Sequence, residues 1–283
     1  MPGGRWPSRK LSTQGQTNVR YKALASVMMT LLPIVALAQA KPEHIMVIAH
    51  RGAHEGIPSN TLLSLKKGIE LGVDYVECDI RTTADSKLVI MHNDTVDATT
   101  NGEGKVREMT LKQIRQLDVG VKAGRQFAGT RVPTLDEMLK MARGTIGIYA
   151  DTKDASPEAL LGALKRHDML SHTVIYGYHL DFFEGVAKLN PEVWIMPEAR
   201  NETVLGKLLQ EFHLQVVAFD AGDFREPLIG MVKQAGARIY VDRLGPADNP
   251  QAWQAAVDAG ADGIQTDHPG ELLQYLRNHG YHP

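Results

Sequence analysis

Eight short runs rich in β-branched and apolar residues recur along this chain, and most are separated by just enough sequence for one helix. They read IMVIAH from residue 45, YVECDI from 75, TIGIYAD from 145, TVIYG from 173, VWIMPE from 193, VVAFD from 216, RIYVD from 238 and GIQTD from 263. Near-continuous apolar runs of this length mark strands covered on both faces, as in a parallel sheet flanked by helices. The intervening stretches LLSLKKGIELG, EALLGALKRHD, TVLGKLLQEFHL and WQAAVDAGA space their apolar residues for one helical face. Gly72, Gly236 and Gly260 stand where left-handed helix C-caps are expected. Such a chain either opens into a doubly wound sheet or closes into a barrel. No Gly-x-Gly-x-x-Gly turn follows a strand, and eight units in ~240 residues match the (β/α)8 TIM barrel.

One unit breaks the rhythm. After YVECDIRTT comes a turn, a short apolar strand KLVIM and a polar loop rich in Gly, Thr and Asn, and the next clear helix is TLDEMLKMA from Thr134. This predicts an insertion over about residues 84–133, after the second strand, far longer than an ordinary βα loop. Long insertions at that face of a barrel are usually functional.

The first forty residues are different in texture. They carry Arg5, Arg9, Lys10, Arg20 and Lys22 and no acid, followed by ALASVMMTLLPIVALAQA. A basic lead, an apolar centre and an Ala-x-Ala ending are the marks of a secretory signal. An uncleaved anchor is the rival, but Ala23–Ala38 falls short of the ~20 residues that span a bilayer and Pro33 interrupts it. The expectation is a signal over residues 1–40, an exported chain starting at Gln39 or Lys41, and a barrel domain over 41–283. Without those five basic residues, 26 cations face 33 acids, a net charge of −7. That balance argues against a nucleic-acid partner. The single cysteine, Cys78, excludes an internal disulfide.

Charged residues fall where a barrel builds its site, at the C-terminal ends of strands. The first run ends in His50 and Arg51. Glu77 and Asp79, two apart, share one face of the second run, which turns Cys78 toward the helices. Asp151 and Lys153 end the third run with the same spacing, and His92 follows the short strand of the insertion. Glu77, Asp79 and Asp151 would converge at the mouth, where mutual repulsion and desolvation oppose three negative charges. A divalent cation with oxygen ligands, Mg²⁺ or Ca²⁺, resolves this. Salt bridges to Arg51 and Lys153 are the other resolution, although they leave the two histidines without a role. Cations and two proton-transfer groups around an anion are what phosphoryl chemistry requires.

AHRGAHEGIPSNT at 49–61 and VECDIRTTADSKLVIMHNDTVDATTNGEG at 76–104 resemble the glycerophosphodiester phosphodiesterase family, and so does AGADGIQTDHP near the end. The likeness covers nearly all of residues 45–276 and implies a TIM barrel with a small insertion. It implies that His50 and His92 are the acid–base pair and that Arg51 binds phosphate. It makes Glu77 and Asp79 metal ligands, and puts Asp151 and Lys153 where the family has Glu-x-Lys. The chain departs from the family at Ser59 for Glu, Asn93 for Asp and Ala98 for Arg, changes expected to bear on the alcohol portion of the substrate. Asp151-x-Lys153 is also similar to sphingomyelinase D. The expected substrate is a small phosphodiester, with the polar strand ends Glu198, Arg200, Asp220, Asp242 and Asp267 as further candidates for the pocket wall. Two rivals remain, a phospholipase D-like enzyme on lipid headgroups and a non-catalytic phosphate-ester-binding protein. The histidine pair separates enzyme from binder.

Overall fold

The computed structural model describes residue 42 and residues 44–283; the signal expected over 1–40 lies outside the described residues. In chain order the elements are β1 (Met46–Ala49), α1 (Leu62–Leu71), β2 (Tyr75–Thr82), β3 (Leu88–Ile90), α2 (Leu111–Ile114), α3 (Leu135–Ala142), β4 (Gly147–Thr152), α4 (Pro157–Arg166), β5 (Thr173–Tyr176) and α5 (Leu180–Leu189). They continue with β6 (Trp194–Met196), α6 (Glu202–Glu211), β7 (Val216–Phe219), α7 (Leu228–Gln234), β8 (Arg238–Arg243), α8 (Pro250–Ala259), β9 (Gly263–Thr266) and α9 (Pro269–Asn278).

Eight of the strands pair in parallel in the order β6-β5-β4-β2-β1-β9-β8-β7. The seam between β6 and β7 is narrow. Ala218 N–H donates to Pro197 O and Ala199 N–H to Ala218 O, both at 2.9 Å, which nearly closes the ring into a (β/α)8 TIM barrel. No helix among the described residues is long and apolar enough to cross a membrane.

Alternation along each strand sorts the side chains into two cores. Val76, Cys78 and Ile80 of β2 and Ile148 and Ala150 of β4 join the large apolar cluster that includes the helix residues Leu65, Leu139 and Leu164. Ile48, Tyr149, Val174, Tyr176, Met196, Val216, Ala218 and Tyr240 form a separate, smaller cluster, with Tyr75 and Trp194 against it. Those residues share their strand faces with Glu77, Asp79, Asp151, Glu198, Asp220 and Asp242. On β2, β4, β6, β7 and β8 this face therefore passes from apolar filling to carboxylates at the C-terminal mouth.

Caps fix where the helices begin and end. Thr61 and Thr134 each form a reciprocal capping box, for α1 and α3. Gly72 and Gly260 adopt the left-handed C-cap, while Gly236 (φ 74°) lies one residue beyond the Ala235 cap of α7.

The long insertion after β2 is ordered by its own apolar cluster of Val89, Met91, Val96, Val106, Ile114, Val119 and Val132. It opens as a hairpin in which β3 runs antiparallel to β2, pairing Ile90 with Ile80. That reversal carries the chain back along β2 toward the site.

Candidate active site

The turn after β1 uses two consecutive left-handed residues, Arg51 (φ 53°) and Gly52 (φ 81°). A Cβ at position 52 would lie 2.4 Å from Ser64 Oγ, so both the space and the dihedral demand glycine. Arg51 is an uncommon residue for this conformation. Its backbone N–H donates to Glu77 Oε2 at 2.7 Å, and its carbonyl accepts from Asn60 N–H at 2.9 Å and Ser64 Oγ–H at 3.0 Å. The turn thus ties the end of β1 to a carboxylate of β2.

His50 is held from two sides by the end of β9. Its N–H donates to Thr266 O at 3.0 Å, and its Nδ1 lies 2.7 Å from Asp267 Oδ1. The carboxylate only accepts, so Nδ1 carries the hydrogen and Nε2 is left for chemistry. The hydrogen bond from His50 holds the Asp267 carboxyl below the ordinary carboxylate range, so it stays ionised at neutral pH. His92 arrives from the other side. Met91 N–H donates to Asp79 O at 2.9 Å, which sets the hairpin register. Arg81 then grips the His92 carbonyl with Nε at 3.0 Å and Nη2 at 2.8 Å. His92 Nδ1 donates to Asn93 Oδ1 at 2.7 Å, again leaving Nε2 unprotonated in the neutral ring. Burial holds this imidazole below its ordinary pKa, outweighing the bond to Asn93.

Glu77, Asp79 and Asp151 bring one oxygen each within 4.8 Å of one another. They are only 2%, 1% and 9% exposed. Lys153 Nζ stands 2.9 Å from Asp79 and 2.6 Å from Asp151, and Arg51 Nε lies 3.6 Å from Asp79. Salt bridges therefore account for part of the charge. They do not account for Glu77 Oε1 and Asp151 Oδ1, both buried without a hydrogen-bond partner among the described residues. Burial, then Asp79 and Asp151, pushes the Glu77 carboxyl well up. Burial also raises Asp151 to about 6 in spite of Lys153. Asp79 is buried as well, yet Lys153 and the Asn60 amide (Nδ2 to Oδ2, 2.6 Å) hold it below its usual value. Two orphaned carboxylate oxygens beside a third acid are an unmet demand for positive charge, and an all-oxygen donor set fits a hard divalent cation.

That demand has a measurable sign. A carboxyl raised by folding, as Asp151 is from 3.8 to about 6, costs no stability below its unfolded pKa and a growing amount as pH rises to its folded one. The metal-free protein should therefore lose stability from this group between pH 4 and 6. A divalent cation, which needs the ionised ligands, should then raise the melting temperature more at pH 7.5 than at pH 5. A thermal-shift titration at both pH values checks this, and an equal or reversed shift contradicts it.

One cavity of about 210 Å³ is walled by His50, His92, Glu77, Asp79, Asp151 and Lys153. Arg51 does not line it; its Nε lies 3.6 Å from Asp79. Among the polar strand ends, Glu198, Asp220 and Asp242 reach the same wall, Arg200 pairs with Glu198 at 3.0 Å, and Asp267 backs His50. Sequence reasoning missed Asn60, Arg81 and Gln265. The family-like segment Pro58-Ser59-Asn60-Thr61 contained the one available signal for Asn60.

Residues 50–271 match the Glycerophosphoryl diester phosphodiesterase family. A glycerophosphodiester phosphodiesterase of Caldanaerobacter subterraneus subsp. tengcongensis is 31% identical over 252 residues, covering 83% of this chain and 99% of the relative. The crystal structure of a glycerophosphodiester phosphodiesterase from Agrobacterium tumefaciens superposes with a TM-score of 0.71 at 28% identity, over 80% of this chain and 97% of that one. A phosphodiesterase from Oleispira antarctica, solved with the product sn-glycerol-3-phosphate, has the same fold at a TM-score of 0.75 and 22% identity, over 82% and 96% of the two chains. With the matched family spanning the strand ends that carry His50, Glu77, Asp79, His92 and Asp151, the chain belongs to the glycerophosphoryl diester phosphodiesterase family of hydrolases.

Proposed function

We propose that the chain hydrolyses glycerophosphodiesters to an alcohol and glycerol phosphate, using His92 as general base and His50 as general acid. The observation that carries this reading is the pair of histidines on one cavity, each with Nδ1 committed to a hydrogen bond and Nε2 without a hydrogen-bond partner among the described residues. Lys153, on the cavity wall, would balance charge on the non-bridging phosphate oxygens, with Arg51 adding positive charge at longer range from beside Asp79. Glu77, Asp79 and Asp151 would hold the divalent cation, Mg²⁺ or Ca²⁺, which when bound supplies further positive charge to those oxygens. His92, kept neutral by burial, accepts the proton of the attacking O–H at Nε2. His50 delivers a proton to the departing alcohol oxygen as its bond to phosphorus breaks, and ionised Asp267 offsets the imidazolium charge beforehand.

Phosphorus-31 NMR of purified protein with glycerophosphodiesters is the direct test. Appearance of glycerol phosphate with the free alcohol supports the reading. No turnover of any diester, or release of a phosphorylated alcohol with free glycerol, rejects it. The same protein is proposed to be exported, on the strength of the basic and apolar texture of residues 1–40. Mass spectrometry of material recovered outside the cytoplasm should find a first residue at Gln39 or Lys41. A full-length chain retained in the membrane contradicts the export reading.

A further inference from the structure

The N-terminal end of the barrel, opposite the catalytic cavity, gathers three side chains that the chemistry above does not use. His44 lies just before β1, Asp74 directly before β2, and His282 just after α9. None of the three lines the catalytic cavity. Chain pairing brings them together from distant points in the sequence: Ile45 N–H donates to Tyr281 O at 2.8 Å, which lays the segment after α9 beside the lead into β1.

Asp74 is fixed by its neighbours in the barrel. Its Oδ2 accepts from Val47 N–H at 2.7 Å, its own N–H donates to Val47 O at 3.1 Å, and its carbonyl accepts from Gly147 N–H at 3.0 Å. The carboxylate meets both imidazoles, with His44 Nε2 at 2.9 Å from Oδ1 and His282 Nε2 at 3.2 Å from Oδ2. The two rings stand edge to face with centroids 4.6 Å apart. One ligand atom from each residue lies within 4.8 Å of the other two. Atoms bound tetrahedrally to zinc at ~2.0–2.1 Å sit about 3.3 Å from one another, so the cluster is close to the size that zinc requires.

The hydrogen inventory points the same way. His282 Nδ1 lies 3.1 Å from Pro283 O, an atom that only accepts. Nδ1 therefore carries the hydrogen, and the neutral ring turns a bare Nε2 toward a carboxylate oxygen. Two acceptors at that distance need a positive charge between them, either a proton or a metal ion. A proton would make His282 an imidazolium with a side chain only 4% exposed, edge to face with a second imidazole. A metal ion uses the lone pairs of both rings and the carboxylate at once. Its second shell is already in place, because Pro283 O orients one ring and Val47 N–H the carboxylate.

We infer that His44, Asp74 and His282 form a zinc site, separate from the catalytic carboxylates. Two imidazoles with one carboxylate suit Zn²⁺ better than Mg²⁺ or Ca²⁺. Both Nε2 atoms and the Asp74 carboxylate would bind it, with water in the fourth position beside exposed His44. The ion would clip the segments before β1 and after α9 to the start of β2.

Calorimetric titration of Zn²⁺ into the purified protein in saturating Mg²⁺ tests this, with the melting temperature as a second readout. One equivalent should bind, and zinc at about 100 times its Kd should raise the melting temperature by about 5 °C or more. His44→Ala, His282→Ala and Asp74→Asn should each weaken that binding by more than about 100-fold, beyond the 10–100-fold typical of losing a residue that only orients a ligand. Should the variants at buried His282 or Asp74 fail to fold, His44→Ala, at an exposed position, still answers. Zinc bound equally well by the wild type and His44→Ala lies elsewhere, the catalytic carboxylates included, and overturns the site. No zinc binding by the wild type also overturns it and leaves His282 as an imidazolium paired with Asp74. Neither readout needs turnover, so this inference and the hydrolase reading fail separately.

Discussion

Excess chelator is expected to abolish diester hydrolysis, and Mg²⁺ or Ca²⁺ to restore it. The expectation rests on what the protein alone cannot neutralise. Lys153 satisfies one oxygen of Asp79 and one of Asp151, but Glu77 Oε1 and Asp151 Oδ1 remain buried and unpartnered among the described residues. Asp79→Asn keeps the shape and removes a charged ligand. It should weaken cation binding by more than ~100-fold, beyond the 10–100-fold typical of losing a residue that only orients a ligand. Calorimetric titration of the metal checks the affinity, and the melting temperature without metal checks that the variant folds. Full activity in chelator, with elemental analysis finding no retained metal, would contradict the assignment.

Much of this site was legible because barrel geometry converts sequence spacing into direction. Two-residue spacing put Glu77 and Asp79 on one face of β2 and Cys78 on the other, and Cys78 indeed lies in the apolar core with Leu65 and Leu139. The eight parallel strands could be read from apolar runs, because each strand is covered on both faces. What could not be read was pairing across long separations. His50 meets Asp267, 217 residues away, only because β9 closes against β1, and no local pattern announces that closure. Nor does a polar, Gly-rich insertion announce its own core, since Val96, Val106, Val119 and Val132 follow no helical or strand period. The left-handed Arg51 was equally hidden. Its conformation is imposed by Gly52, Ser64 and Glu77 acting together. The half of the cavity bearing Asp220 and Asp242 was visible only as scattered acids at strand ends, and the ring order of the strands is what groups them.

Replacing either histidine is expected to cost roughly 10²–10⁴-fold in kcat on a diester with a poor leaving group such as glycerol or choline. The two losses should then part company on a p-nitrophenyl ester, whose leaving group departs without a proton. His50→Ala should recover much of its rate there, because His50 faces ionised Asp267 and is assigned the acid. His92→Ala should not recover, because its neutral Nε2 is assigned the base. The opposite pattern would exchange the roles; near-wild-type turnover of both variants on a natural diester would remove them. The pH profile gives an independent reading. Because burial lowers the His92 pKa, the acid limb of kcat/KM should fall below the ordinary histidine value of about 6.5, provided metal is saturating. His92→Ala should abolish that limb and His50→Ala should retain it. Metal affinity should survive in both variants, since neither ring belongs to the converging carboxylates. A variant that loses activity together with metal would place its histidine in the cation site instead, which makes metal titration the control that separates proton transfer from ligand loss.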